Sequence, residues 1–439
     1  MTELYRKYRE CGCRVTTDSR AVEGGELFFA IRGENFDGNA YALSALEKGA
    51  AWAVVNAGSG VTGERVIPVD DPFAALQALA IEHRESVSEG SRLPVIGLTG
   101  TNGKTTTKEL IAAVLGRRFR VCATEGNLNN DLGVPLSLLK IRPDTEIAVI
   151  EMGASHPDDI AKLVRVSRPD YGLITNVGKA HLLGFGSFEG VKAAKGELYK
   201  WLGSVEGSVI FLNEDDADLR SMAASQPCHC FGYGLGYQGA SVLPSSASEP
   251  YLRLKLADGT VVNTRMVGSY NAPNVLAALA VGSYFGVSRS DAVAAVEAYE
   301  PHNRRSQMVS HDGNTYILDA YNANPSSMAA ALDNFDSVQA ERKVVLLGDM
   351  RELGEDSLSE HVKVVKRLVS SPSLEIYLVG SEFGKALSEP GIVSGTSLLR
   401  WFSTSAELGE YLNSHPITSA SILVKGSRGI RMEDALPFQ

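Results

Sequence analysis

Pro94-Val-Ile-Gly-Leu-Thr-Gly-Thr-Asn-Gly-Lys-Thr-Thr-Thr-Lys-Glu-Leu110 decides the fold. Its first half is an apolar run that reads as a buried strand stopping near Leu98. A Gly-rich turn follows, then Lys104, then three threonines. Leu110, Ile111 and Val114 continue with helical spacing. Strand, Gly turn, Lys-Thr and helix together make a cradle for a nucleotide triphosphate. Glycines let the backbone approach phosphates, and amides at a helix start point at them. Lys104 is expected at the β/γ-phosphates and the Thr105 hydroxyl at Mg²⁺. The strict phosphate-loop pattern has a Gly where this chain has Leu98. What remains is the tighter Gly100-Thr101-Asn102-Gly103-Lys104-Thr105-Thr106.

Outward from this loop, strands and helices alternate. Val95–Leu98, Ile147–Ile150, Gly172–Thr175 and Val209–Leu212 read as strands with helices between, which implies a mostly parallel sheet covered on both faces. Upstream, Leu27–Ile31 and Ala53–Val55 read as strands. Tyr41–Lys48 and a segment opened by Asp71-Pro72 read as helices, making a small α/β unit. His83 falls near the end of the second helix and reads as a surface residue favoured by the dipole. The polar stretch Arg84–Arg92 reads as a linker. Between Tyr233 and Val267 short alternating runs predict antiparallel strands at one edge of the sheet, and Asn274–Tyr284 predicts an Ala-rich helix. The pattern restarts near Pro301. Tyr316–Leu318, Val344–Leu347, Ile376–Val379 and Ile422–Val424 read as strands of a Rossmann-like unit without a Gly-x-Gly-x-x-Gly fingerprint. The fold expected is α/β in three domains, 1–88, 89–301 and 302–439. A central P-loop parallel-sheet ATPase domain is flanked by a small N-terminal α/β domain and a C-terminal Rossmann-like domain.

A formal net charge of −10 argues against nucleic acid as the main partner. No apolar run reaches the length of a membrane span, and the first residues lack the apolar core of a signal peptide, so a cytoplasmic protein is expected. Cys11-Gly-Cys13 and Cys228-His-Cys230 lack the spacing of zinc sites and read as reduced thiols.

Six further segments carry chemistry. Ala148-Val-Ile-Glu151 is an apolar strand ending in a carboxylate, at the sheet end where ligands gather, which makes Glu151 a natural Mg²⁺ ligand. The loop ending in His181 leaves the next strand, so His181 is a candidate for a second divalent ion or a phosphate. Lys195 sits on a helix beside the apolar Ala194 and is either a snorkelling lysine or one held at the metal site. The turn Thr124-Glu-Gly-Asn-Leu-Asn129-Asn130 offers amides suited to sugar or peptide groups, or merely to turning. In the last unit, Asp319-Ala-Tyr-Asn-Ala-Asn324-Pro325 fits ribose and phosphate contacts or an Asn cap with Pro in the first turn. Lys425-Gly-Ser-Arg428 fits a carboxylate ligand or a solvated loop.

Together with Thr17-Asp-Ser-Arg20, Phe36-Asp-Gly38 and Leu347-Gly-Asp-Met350, these segments closely resemble the Mur ligases, the ATP-dependent amide-forming enzymes of peptidoglycan synthesis. The resemblance covers nearly the whole chain. The Asn-rich turn and Tyr321-Asn-Ala-Asn-Pro325 favour the branch that joins D-Ala-D-Ala to UDP-N-acetylmuramoyl-tripeptide through an acyl phosphate. The resemblance implies ATP and Mg²⁺ as cofactors and a monomeric enzyme. Ser19 and Arg20 would hold uridine, while Thr124, Asn129 and Asn130 would meet substrate. Asn271, Asn274, Asp319, Asn324 and Arg304 or Arg305 would contact the nucleotide. Lys195, carbamylated, would ligate the second Mg²⁺. Two readings compete: a ligase of the same architecture that adds a single amino acid or glutamate, and a nucleotide-binding module without ligase activity.

Overall fold

The computed structural model describes residues 1–438 apart from 34–35, 88–91, 247–248, 303–304 and 393–397. The middle of the expected linker and Arg304 therefore lie outside the described residues.

The strand Val95–Thr99 is fully buried and occupies the middle of a six-stranded parallel sheet. The order across that sheet is His229–Tyr233, Val209–Asn213, Tyr171–Ile174, Val95–Thr99, Ile147–Glu151 and Val121–Ala123. The chain leaves Val95–Thr99 at the carboxyl end and enters the helix Lys104–Leu115. The neighbouring strands end in Glu151 and Ile174 at that same end, so their loops open around the phosphate loop. Strands buried on both faces need continuous apolar runs, which is why Ile147-Ala-Val-Ile150 has no alternation.

The first unit is a four-stranded parallel sheet ordered Val15–Thr16, Leu27–Phe29, Trp52–Asn56, Val66–Val69. Its helix Pro72–Ser86 starts with the Asp71 side chain accepting from the Phe73 amide. One apolar core runs from Tyr5, Phe29 and Leu79 into Leu138, Ile150 and Leu163, so the first two units are joined by packed side chains. His83, expected at the surface, is 1% exposed in this seam. Its Nε2 donates to the Ile141 carbonyl at 2.8 Å, which leaves Nδ1 to accept from the Tyr5 hydroxyl at 3.3 Å. Beside it the buried Arg84 donates to the Ser167 and Arg168 carbonyls and to Asp170. Tyr5 and Tyr8 of the first unit and Ile141 of the next close over the ring, contacts that its place near a helix end does not reveal.

The antiparallel strands expected at an edge of the parallel sheet form a separate three-stranded sheet, Ser241–Leu243, Arg253–Lys255 and Val261–Asn263. Leu252, Leu254 and Val262 from this segment enter the core with Val114 and Leu276. The last unit is a six-stranded sheet ordered Gln307–His311, Asn314–Asp319, Ser421–Lys425, Lys343–Gly348, Leu374–Val379, Leu399–Phe402. Only its first pair is antiparallel.

Candidate active site

A cavity of about 810 Å³ opens over the carboxyl end of the central sheet and is closed on its far side by the last unit. It collects residues from all three regions of chemistry flagged in the sequence: Thr101 to Thr106, then Asn129, Asn130, Glu151 and His181, then Asn271, Asn274, Arg305, Asp319 and Asn324. Ser19 and Arg20 do not line it. They lie in the first unit, where Arg20 is 86% exposed and forks onto Asp18. Gly100 lies just behind the cavity wall, as do Thr124 and Lys195, both 2% exposed.

The loop is held in shape by its surroundings. Gly100 has φ +146, and a side chain there would run into Thr175 Oγ1. Gly103 has φ +76, and a Cβ would stand 2.7 Å from Asn274 Oδ1. That amide is fixed on both sides: Thr107 Oγ1 donates to its Oδ1 at 3.0 Å, and its Nδ2 donates to Asn271 Oδ1 at 2.9 Å. Asn271 in turn donates to Ser306 Oγ and the Val267 carbonyl. Among the described residues no side chain caps the helix that starts at Lys104, so its first amides stay available to an anion. Lys104 Nζ folds back onto the carbonyls of Gly100 at 2.8 Å and Thr101 at 3.1 Å. Burial pulls its pKa down, Glu151 opposes that, and Arg305 adds to it.

Glu151 is 1% exposed at the floor. Its Oε1 accepts from Asn129 Nδ2 at 2.8 Å and Thr105 Oγ1 at 3.2 Å, while Oε2 is buried with no hydrogen-bond partner among the described residues. An orphaned carboxylate oxygen beside a threonine hydroxyl suits a hard divalent cation. Thr124, expected at substrate, works from behind instead: its hydroxyl accepts from the Glu151 amide, and its carbonyl accepts from buried Lys108. Lys195 is buried, which removes the snorkelling reading. Among the described residues it forms no ion pair with a carboxylate, and its amine lies over the Phe185 ring, 5.7 Å from the centroid. Burial, then Lys104, push its pKa down to about 7. The His181 pKa is lowered, chiefly by burial, against the opposing pull of Glu352.

The last unit supplies the other wall. Asn324 caps the helix Pro325–Ser337 in a capping box, as one local reading had it, and its Nδ2 also donates to Asn102 Oδ1 at 2.8 Å. Asn102 Nδ2 donates to Ser326 Oγ at 3.2 Å. Arg305 lays its guanidinium over the Tyr321 ring, 3.6 Å from the centroid, and its Nε has no hydrogen-bond partner among the described residues. Lys425, 1% exposed, is not a solvated loop residue: it ion-pairs with Asp319. Tyr270, Tyr321 and Asn176 were given no site role in the sequence, Tyr321 entering there only as part of a motif, and Glu352 was missed. The first three line the cavity, and Glu352 sits against His181. Aromatic residues beside Asn271 and Asn322 were the available signal for the tyrosines.

Comparison with known proteins agrees with this geometry. Three family models match in order: Mur ligase family, catalytic domain over residues 14–84; Mur ligase middle domain over 98–282; and Mur ligase, glutamate ligase domain over 304–428. A UDP-N-acetylmuramoyl-tripeptide–D-alanyl-D-alanine ligase of Bacillus subtilis is 34% identical over 429 residues, covering 96% of this chain and 91% of that one. A crystal structure of MurF from Acinetobacter baumannii superposes with a TM-score of 0.82 at 31% identity, covering 96% of this chain and 92% of that one. MurF ligase from Thermotoga maritima in complex with ADP superposes equally well, with a TM-score of 0.82 at 27% identity, covering 99% and 97%. The chain belongs to the Mur ligase family.

Proposed function

We infer that the protein is an ATP-dependent ligase of the MurF type, which joins D-Ala-D-Ala to UDP-N-acetylmuramoyl-tripeptide in peptidoglycan synthesis. The observation that carries this reading is the single cavity that joins an uncapped helix start, Lys104 and a half-satisfied Glu151 to a wall from the last unit.

A peptide carboxylate is a poor electrophile, and transfer of the ATP γ-phosphoryl group makes it an acyl phosphate. The amine of D-Ala-D-Ala then attacks the acyl carbon and phosphate leaves. In this reading Lys104 turns from the Gly100 and Thr101 carbonyls to the β/γ-phosphates, beside the free amides of its helix. Thr105, Glu151, His181 and a carbamylated Lys195 would hold Mg²⁺, which when bound neutralises charge on the transferring oxygens. A lysine amine with a pKa of about 7 is substantially neutral at physiological pH, so it can add to carbon dioxide and lose a proton to become a carbamate. Arg305 flat on Tyr321, with Asp319 and Asn324, forms the nucleoside side. Asn129 and Asn130 face the acceptor peptide, while Ser19 and Arg20 take the uridine end. We assign these roles to domains 1–88, 89–301 and 302–439. No helix among the described residues is long and apolar enough to cross a membrane. The need for ATP supports a cytoplasmic enzyme, and we take it to act as a monomer.

The test is phosphate release with UDP-N-acetylmuramoyl-tripeptide, ATP and D-Ala-D-Ala, omitting each in turn. Release should need all three, and Lys104→Ala should lower it at least about a thousandfold with the fold intact. Release without the dipeptide, or a folded Lys104→Ala enzyme at near-normal rate, would count against the reading.

A further inference from the structure

His181, in the cavity wall, meets Glu352 from the last unit, and neither has the backbone of an ordinary residue. His181 has φ +51 and Glu352 has φ +65, left-handed values that strain a residue other than glycine. Such conformations persist only where the surroundings impose them, and they cluster at functional sites.

The surroundings of Glu352 do impose it. Asp349, 3% exposed, accepts from the amides of Glu382 and Phe383, which open the helix Ser381–Leu387. The Met350 amide donates to Nε2 of His361, a fully buried ring whose Nδ1 donates to the Ser357 carbonyl. The Arg351 amide donates to Ser427 Oγ at 2.9 Å. Three successive residues are therefore nailed to the last unit, and Leu353 beyond them is buried. Glu352 is the residue this loop turns outward, and its carboxylate lies within ion-pair distance of His181 Nδ1, a buried atom with no hydrogen-bond partner among the described residues. The backbone confirms the register, since the Leu183 amide donates to the Glu352 carbonyl at 3.3 Å. Lys179 and Glu360 pair at 3.5 Å alongside.

We propose that Glu352 is a positioning residue for the ligase reaction: it holds the proton of His181 on Nδ1 and fixes the ring, so that Nε2 is the free acceptor at the cavity. A carboxylate behind a functional imidazole commonly sets tautomer and orientation in this way. Because Glu352 belongs to the last unit and His181 to the central one, the imidazole is set only when the two units are docked. The loop Leu347-Gly-Asp-Met-Arg-Glu352 thereby makes the chemistry conditional on closure. This inference rests on the ligase reading, but its decisive readout does not.

That readout is the ¹⁵N spectrum of the imidazoles in the full-length protein. The chain has only 8 histidines, so His181 can be assigned by its loss in His181→Asn. Wild type should show His181 as the Nδ1–H tautomer, Glu352→Ala should lose that preference, and Glu352→Gln, which keeps an acceptor oxygen, should restore it. In the assay, Glu352→Ala should lower kcat about tenfold with KM for each substrate within about twofold, and Glu352→Gln should recover most of the rate. A His181 spectrum unchanged by Glu352→Ala, or a Glu352→Ala enzyme with full kcat, would overturn the proposal. A wild-type chain that releases no phosphate would instead overturn the ligase reading, leaving the spectrum to judge the contact.

Discussion

At the scale of single residues, the readable positions are those whose backbone is fixed by neighbours in sequence. Glu151 ends a buried strand, and Lys104 and His181 each follow one, so parallel-sheet topology alone brings them to one end. Glu352, Tyr270 and the engagement of Lys425 by Asp319 were not legible, because their partners arrive from elsewhere in the chain; Lys425 and Asp319 are 106 residues apart. Gly103 shows what the sequence hides even within a recognised motif. Phosphate approach explains a glycine, but the structure adds a second reason: the locked Asn274 amide occupies the space of a side chain. Gly103→Ala should therefore cost about 2 kcal/mol, from the left-handed backbone and from prising Asn274 off Thr107 or Asn271. Urea unfolding with and without ATP measures both consequences, and a loss under about 0.5 kcal/mol with normal ATP affinity would contradict this account.

At the scale of elements, the strands of the central and last sheets were legible because strands buried on both faces are uninterrupted apolar runs. Short edge strands such as Val121–Ala123 and Leu399–Phe402 carry too few residues for a pattern. The helix Pro72–Ser86 was found by its cap, yet its environment was misjudged, since periodicity cannot say which neighbour covers a polar residue. The consequence is a pH dependence in the seam between the first and central units. Burial chiefly lowers the His83 pKa, and Arg9 and Arg142 reinforce this against the pull of the Ile141 carbonyl. The unfolded chain therefore takes up a proton at His83 near pH 6.5 while the folded one resists it. Stability from this group is present above about pH 6.5 and falls as the pH drops below it. The urea midpoint should decline between about pH 6.5 and 5, and His83→Phe should show a shallower decline there. Equal slopes for the two proteins would remove His83 as the cause.

At the scale of the whole molecule, the two seams differ in kind. The first and central units share an apolar core, which fixes them to each other. The last unit takes a smaller apolar contact, Val267 and Tyr251 against its core, and at the cavity it meets the central unit through side-chain amides, hydroxyls and ion pairs, such as Asn324 on Asn102 and Glu360 on Lys179. Polar interfaces of this kind permit domain motion, and an acyl phosphate needs water excluded before it forms. Asn102 is where that motion touches the phosphate loop. Its backbone is tied to the central unit, with the amide donating to Asn176 Oδ1 and the carbonyl accepting from Thr175 Oγ1 and Asn176 Nδ2. Among the described residues its side chain bonds only to the last unit, at Asn324 and Ser326, the former 222 residues away. Asn102→Ala should thus leave the loop in shape while removing two hydrogen bonds across the closing seam, worth about 1 kcal/mol each. If closure precedes phosphoryl transfer, kcat should fall about tenfold while ATP affinity, set by backbone amides and Lys104, changes less than about threefold. The comparison with Asn324→Ala separates latch from cap, because that change also removes a helix cap worth about 1 kcal/mol and should lower thermal stability, whereas Asn102→Ala should not. An Asn102→Ala enzyme that loses ATP affinity in proportion to kcat would mean that Asn102 serves the nucleotide rather than the closing of the domains.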